Sequence, residues 1–372
     1  MRRDFLIRAA SIAACYASRL SEARMLMEAA GGIDAIFSST PEQLQQLMRE
    51  RGEGNCVISD RIFSQKTAAD AARDIDWALD HGLEILSIED SLYPGRLRQC
   101  PDAPIVLYTS GGFDLNGARM IAIVGTRAAT ENGRRYCNAI VEGLSKCAPA
   151  PVVVSGLALG IDTFAHTAAL KHGLETVAVM GTGFEAIYPP SNQNLAERIL
   201  QQGALVTEFT PFTPSYPVNF VRRNRIIAGL CDCVLVVESK KKGGGLITAQ
   251  LGMDYDRSVF AVPGRIDDNT FRGCNNLIES NIAGIVTGPE SIIRAMGWEP
   301  GTLPLGFDRP RVRPCGGVAG EILRFLCSNP RSDADTIAAA LSRTVAEIAL
   351  PLVELEMEGK IYRVSGDRFG AN

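Results

Sequence analysis

Arg119-Met120-Ile121-Ala122-Ile123-Val124-Gly125-Thr126-Arg127-Ala128-Ala129-Thr130 decides the fold of this chain. A short β-branched run, Ile121–Val124, ends in a glycine and small or polar residues, and an amphipathic stretch near Gly133–Cys147 follows. An apolar run of that length bounded by turn residues reads as a strand buried on both faces. The unit then recurs. Further strands are predicted at Val152–Val154, Val177–Met180, Leu205–Thr207, Val234–Val237, Val259–Val262 and Ile285–Thr287, with helices near Ile161–His172, Asn192–Gln202, Asn219–Leu230, Leu246–Tyr255 and Cys274–Ser280 between them. Strand, helix, strand at this spacing implies right-handed crossovers and a parallel sheet covered on both faces, an α/β Rossmann-like domain. The runs Glu84–Ile88 and Ile105–Tyr108 precede it as edge structure, which places its start near residue 82.

In such sheets ligands bind beyond the carboxyl ends of the strands, so the residues after each strand are the candidate site. They are Gly125-Thr126-Arg127 after the first, Ser155-Gly156-Leu157-Ala158-Leu159-Gly160-Ile161-Asp162 after the second and Gly181-Thr182-Gly183 after the third. Small residues there let backbone N–H groups and helix N-termini face an anion, and Arg127 adds a fixed fork of donors. None is a full dinucleotide fingerprint or a Walker lysine loop, and a glycine after a strand also simply makes a tight turn. Asp162 alone reads as a helix cap, and His166 has no evident nucleophile beside it.

The segment Pro217-Val218-Asn219-Phe220-Val221-Arg222-Arg223-Asn224-Arg225-Ile226-Ile227 is sharper. At about 100° per residue Arg222 and Arg225 share one side of a helix, while Arg223 falls within the apolar arc of Ile226, Ile227 and Leu230 and needs a partner. Glu208 and Glu238, at strand ends, are the expected partners. From Thr210 to Gly245 six basic residues (Arg222, Arg223, Arg225, Lys240, Lys241, Lys242) face two acids (Asp232, Glu238), a local +4 inside a chain of net charge −4. A solvated face is the plain explanation of a charge run; here the basic residues flank the ligand edge, which points to a polyanion.

Around this domain the pattern changes. Residues 1–80 read as short helices, with Thr40-Pro41 a clear start signal, and resemble a small helical domain of the sterile-alpha-motif or helix-hairpin-helix kind, or a plain packing cap. Trp298 to Gly317 carries four prolines and four glycines in twenty residues and reads as a linker (298–317). Beyond it Val318–Cys327, Ala334–Leu341 and Val345–Glu358 look helical and Lys360–Val364 begins a hairpin, a winged-helix plan for residues 318–372. Its third helix carries Glu347, Glu354, Glu356 and Glu358, no basic residue, and Pro351 as an interruption, so a protein partner or an intramolecular contact is expected there rather than a DNA groove.

Three domains suit a length of 372 residues. A composition of 46% hydrophobic and 22% charged residues excludes a disordered or collagen-like chain. Ten scattered cysteines with no C-x-x-C and three histidines argue against zinc or a disulfide framework and for reduced thiols in a cytoplasmic protein. No run reaches the roughly eighteen apolar residues of a membrane span. Arg2-Arg3-Asp4-Phe5-Leu6 mimics an export signal and Ile12-Ala13-Ala14-Cys15 a lipoprotein box. Arg8 breaks the apolar core such signals need, so an amphipathic helix is expected.

The combination resembles one family, DNA-processing protein A (DprA/Smf). The resemblance is carried by Ile123–Arg127, Ser155–Asp162 with Ala165-His166, Met180–Gly183 with Tyr188-Pro189, Phe220–Leu230, Gly245–Ala249, Val259–Gly264 and Tyr93–Leu97, over roughly residues 82–290 of a Rossmann-like domain read as 82–297. It implies a non-enzymatic, sequence-independent single-stranded DNA binder of natural transformation that protects DNA and loads RecA as a homodimer, with no cofactor and no membrane partner. By position it assigns Gly125, Thr126 and Arg127 to a phosphate-contacting loop and Arg222, Arg223 and Arg225 to a basic helix start. With Ser155, Gly156, Gly181, Thr182, Gly183, Phe220, Asn224, Lys240, Gly245 and Thr248 these form the expected DNA-binding set, and Phe184 and Phe271 are further aromatic candidates for bases. Lys242-Gly243-Gly244-Gly245 departs from the family's serine-containing turn. The domain plan also resembles the lysine-decarboxylase-like nucleoside monophosphate hydrolases, an enzymatic alternative; Gln250 stands near where that family has a catalytic glutamate.

Overall fold

Met120–Val124 is buried along its whole length and lies inside a nine-stranded sheet with a parallel neighbour on either side, as a run of Met, Ile, Ala and Val with no polar face must. The protein is described from a computed structural model, which covers residues 2–53, 56–117, 119–298, 317–329, 332–357, 360–364 and 368–371. The strands are β1 (Glu84–Ser87), β2 (Val106–Ser110), β3 (Met120–Val124), β4 (Val152–Ser155), β5 (Thr176–Val179), β6 (Gly203–Thr207), β7 (Cys233–Val236), β8 (Ser258–Ala261) and β9 (Gly284–Ile285), in the order β1-β2-β6-β5-β4-β3-β7-β8-β9. The seven from β6 to β9 in that order run parallel, and β2 and β1 add antiparallel pairs at one edge. The chain builds outward from β3 to β6 on one side, then crosses to β7, β8 and β9 on the other. The order therefore reverses between β3 and β7, where loops leaving neighbouring strands part and open a crevice.

The helices of this unit are α1 (Arg2–Cys15), α2 (Leu20–Ala30), α3 (Ile33–Phe37), α4 (Pro41–Glu50), α5 (Gln65–Asp80), α6 (Gly95–Arg98), α7 (Glu131–Leu144), α8 (Ile161–Lys171), α9 (Gln193–Ile199), α10 (Pro217–Leu230), α11 (Gly244–Asp254), α12 (Arg272–Glu279) and α13 (Pro289–Ala295). Thr40 and Gln43 close a reciprocal capping box at the head of α4, with Pro41 at its first position. Thr130 caps α7 by accepting the Gly133 N–H at 3.2 Å. Among the described residues no single helix is long and apolar enough to cross a membrane.

The N-terminal helices do not stand apart at residue 80. Leu6, Ile12, Ile33, Ile36 and Leu44 belong to the same buried cluster as Ile85, Tyr108 and the strands of the sheet, and the described residues up to Trp298 make one compact unit. Polar contacts fasten the seam: the Ile33 N–H donates to Glu89 Oε1 at 2.8 Å, and Arg2 to the Ile85 carbonyl at 3.3 Å. The buried faces of α1 and α5 are shared with β1 and β2, so these helices close over the sheet's antiparallel edge. At the other end Trp298, read from sequence as the start of the linker, is 5% exposed beside the buried Arg119, which donates to its carbonyl at 3.3 Å. Residues 299–316, the rest of that segment, lie outside the described residues.

The second unit holds α14 (Gly317–Ser328), β10 (Ser332–Asp333), α15 (Ala334–Ala340), α16 (Val345–Met357), β11 (Ile361–Val364) and β12 (Arg368–Ala371), with an antiparallel sheet in the order β10-β12-β11. Ile322, Leu326, Ile337, Ile348, Leu352 and Leu355 form its core. Pro351 does not interrupt α16, which runs through it with Ile348, Leu352 and Leu355 facing inward. Packing of that apolar stripe holds the turn together despite the missing N–H.

Candidate nucleic-acid interface

A cleft of about 400 Å³ opens at the carboxyl ends of β3 and β7, where the strand order reverses. Three segments build most of it: Val124-Gly125-Thr126-Arg127 leaving β3, one face of α10 (Pro217, Phe220, Val221, Arg223, Asn224, Ile227), and Gly243-Gly244-Gly245 with Ile247 and Thr248 at the head of α11. Ala158, from the loop after β4, and Asp162, in the first turn of α8, complete the lining. Neither α10 nor α11 has a side-chain cap, so two helix N-termini present their positive ends to this space. That arrangement accepts an anion without a dedicated cofactor loop. Gly125 is required by close approach: a Cβ there would lie 2.8 Å from the Glu238 carbonyl and within 3 Å of Ile161.

Arg127 is exposed at the mouth, its guanidinium 5.3 Å from the centroid of the Phe220 ring. Phe220 lies over Gly181, where a Cβ would come within 2.6 Å of its Cδ1, and its ring centroid is 5.2 Å from that of Tyr188. Gly181 thus makes room for the ring. The planar cation is held over an aromatic face at the cleft mouth, and its charge acts on the Asp162 carboxylate inside the cleft.

The basic start of α10 divides in a way its spacing did not reveal. Arg223 is 3% exposed and donates to the carbonyls of Gly156 and Val179, at the ends of β4 and β5, instead of pairing with Glu208 or Glu238. Gly156 is glycine because any side chain would run into that guanidinium. Burial lowers Arg223 to about 10, opposed by the nearby Asp162, and burial raises Asp162 from its ordinary value, opposed by Arg223. Arg225, expected on the open side with Arg222, is 7% exposed and bonded to Glu208 and to the Asp102 carbonyl. Arg222 reaches the Ala17 carbonyl at 2.8 Å and Glu208 at 3.9 Å, tying α10 to the N-terminal helices. Glu238, the other expected arginine partner, instead binds Thr130. The α10 arginines therefore build the cleft wall; Arg223 alone of the three reaches its lining.

Of the residues chosen from sequence, the fold brings Gly125, Thr126, Arg127, Phe220, Arg223, Asn224, Gly245 and Thr248 into one cleft. It leaves out Ser155, whose buried hydroxyl donates to the Ile123 carbonyl at 2.6 Å, together with Gly156, Gly181, Thr182, Gly183, Arg222 and Arg225. Lys240 lies exposed beside Lys241 and Lys242 on the loop leading to α11, outside the lining. Phe271 is 2% exposed and Phe184 packs on the core, so neither is presented to a base. Asp162 does not cap α8, where Gly160 takes that place; its carboxylate accepts the Ala158 N–H at 3.4 Å. Gln250 points to solvent and donates to Asp254 at 3.0 Å, so the carboxylate in the cleft is Asp162, held beneath Arg223. Pro217, Val221 and Ile247 were missed: periodicity shows which residues share a helix face, not that two helix heads meet.

Comparison with known proteins agrees with this geometry. Residues 84–297 match the family model of DNA recombination-mediator protein A. The DNA processing protein DprA of Streptococcus pneumoniae is 41% identical over 207 residues, 56% of this chain and 72% of its own. A solved structure of DprA from that organism superposes with a TM-score of 0.57 at 32% identity, covering 74% of this chain and 97% of its own. The DNA processing protein A of Helicobacter pylori, solved for its single-stranded DNA binding mode, gives a TM-score of 0.52 at 26% identity, covering 57% of this chain and 95% of its own. From the edge strand β1 to the buried Trp298, in sequence as in fold, the chain belongs to the DNA recombination-mediator protein A family.

Proposed function

We propose that this chain binds single-stranded DNA without sequence preference, through phosphates held at the β3–β7 cleft, and acts as a recombination mediator rather than as an enzyme. The observation that carries this is Arg127 standing exposed over Phe220 at the mouth of a cleft into which two helix N-termini without side-chain caps open. Charge and backbone dipoles aimed at phosphates hold a strand without reading its sequence. The relative from Helicobacter pylori supports a single strand as the ligand. Protection of incoming DNA, loading of RecA, homodimerisation through the Rossmann-like unit, a cytoplasmic setting and a winged-helix role for the second unit belong to the same proposal, and rest on the family resemblance. Asp162 offers no ready route to hydrolysis, since Arg223 and the Ala158 N–H already engage it.

The test is a titration of the full chain with nucleoside monophosphates and with oligonucleotides of increasing length. A DNA binder tightens with length and ignores mononucleotides; saturable mononucleotide binding with turnover would overturn the proposal.

A further inference from the structure

Tyr188 is 43% exposed, and its ring lies against Phe220 at 5.2 Å with a 45° tilt. Phe220 is already engaged: Gly181 lies against it, Arg127 stands over it, and Tyr188 touches it. Guanidinium, phenyl and phenol thus form a row from the anion-binding mouth to an aromatic surface open to solvent, within reach of one or two nucleotides. The loop that carries Tyr188 is braced on both sides. The Gly183 N–H donates to the Thr213 carbonyl at 2.9 Å, Glu185 to Pro211 at 3.1 Å, and the Asn192 N–H to Pro189 at 2.9 Å, while the Asn192 side chain donates to Leu157 and Thr163 at 2.8 and 2.9 Å. Among the described residues nothing accepts or donates a hydrogen bond at the Tyr188 hydroxyl, so no internal bond explains the ring's position.

Resting on the proposed single-stranded DNA binding, we propose that Tyr188 forms a base subsite: an unpaired base whose phosphate is held at Arg127 stacks on the solvent-exposed side of the Tyr188 ring. Every base has a π face, so such a contact adds affinity without sequence preference. The braced loop presents the ring in place, so little ordering is lost on binding. Arg127 and Tyr188 then divide recognition, one reading the phosphate and the other the base, with Phe220 setting the spacing between them.

The experiment compares an oligothymidylate of about fifteen nucleotides with an abasic strand of the same length on the full chain. Tyr188→Ala weakens oligothymidylate binding about tenfold, Tyr188→Phe stays within about twofold of wild type, and the abasic strand binds all three proteins alike. Tyr188→Leu keeps an apolar cover over Phe220 yet loses the stacking, and 2-aminopurine placed in the strand is quenched by wild type and not by this variant. Equal loss on both strands, or unquenched 2-aminopurine in the wild-type complex, overturns the base subsite while leaving single-stranded DNA binding intact. Wild type that binds neither strand overturns the DNA proposal and this subsite with it.

Discussion

Glu238 is wholly buried, and its carboxylate accepts both the backbone N–H and the hydroxyl of Thr130 at 3.0 Å. Its own carbonyl accepts the Thr126 N–H at 2.8 Å, so one residue at the end of β7 grips both ends of the loop that carries Arg127. This relationship fixes where the exposed Arg127 cation stands at the mouth of the cleft, although Glu238 is not among the cleft's lining residues.

Removing that grip is expected to loosen the loop. Glu238→Ala strands the Thr130 donors and should cost about 1–3 kcal/mol in urea unfolding, with DNA affinity falling toward that of an Arg127→Ala protein. Gly133→Ala gives the sharper test, because in a helix the change ordinarily stabilises by up to about 1 kcal/mol. Here the added Cβ would collide with the Glu238 carboxylate, so the sign reverses. A Gly133→Ala protein more stable than wild type would contradict the account of Glu238.

Arg127 and Arg223 should separate binding from stability. Arg127 is exposed and rests over Phe220, so Arg127→Ala is expected to shift stability by less than about 0.5 kcal/mol while weakening single-stranded DNA binding. Arg223→Ala leaves the Gly156 and Val179 carbonyls and the Asp162 carboxyl without their buried cation, at a cost of about 3–5 kcal/mol. Calorimetric melting of the two variants beside their binding isotherms checks the contrast; unchanged melting of Arg223→Ala is the result that fails it.

Because Arg225 and Arg222 are bound to Glu208 and to backbone carbonyls, the salt dependence should come from Arg127 and from the exposed Lys240, Lys241 and Lys242. Each phosphate neutralised on a single strand contributes about −0.7 to the slope of log K against log salt. Arg127→Ala is therefore expected to flatten the slope by about 0.7, and the triple lysine-to-alanine change by up to about 2 if each lysine meets a phosphate. A slope unaffected by the triple change would place the strand's path away from the loop before α11.

His166 predicts an acid limb in stability. Its Nδ1 lies 2.7 Å from Thr176 Oγ1, whose own proton goes to the Val153 carbonyl, so the ring is neutral with the proton on Nδ1, and Nε2 is buried without a partner. Burial lowers its pKa from 6.5 to about 3, with Arg223 adding to the effect. The unfolded chain then binds a proton that the folded chain refuses, so this contribution is fully present above pH 6.5 and lost as pH falls toward 3, at up to about 1.4 kcal/mol per pH unit. Asp162 acts in the opposite sense, since its raised value favours the folded state as pH falls. His166→Asn should remove the slope that begins near pH 6.5; urea unfolding measured from pH 7 to 5 reads it directly, and a variant with the wild-type slope would assign the limb elsewhere.

The parallel sheet was legible because its strands are unmixed apolar runs separated by helical periods, and because glycines fall at their carboxyl ends. Gly125, Thr126 and Arg127 were legible for the same reason, since the position after a strand is a place defined along the chain. The N-terminal boundary was not, because a helix that buries its face against its own neighbours and one that buries it against a sheet carry the same 3.6-residue pattern. Leu6 and Ile33 look identical in either case.

What the sequence by itself determined is the strand order's raw material and the charge excess around α10, both set by local composition. Which arginine does what was decided only by the tertiary structure. Arg222, Arg223 and Arg225 are near neighbours on one helix, yet the ends of β4 and β5 place two carbonyls against Arg223, and the chain after β6 places Glu208 against Arg225. A helical wheel gives each side chain a direction. The cost of burying a cation is met only by acceptors far away in sequence, at Gly156, Val179, Glu208 and Asp102, and their meeting is a property of the fold.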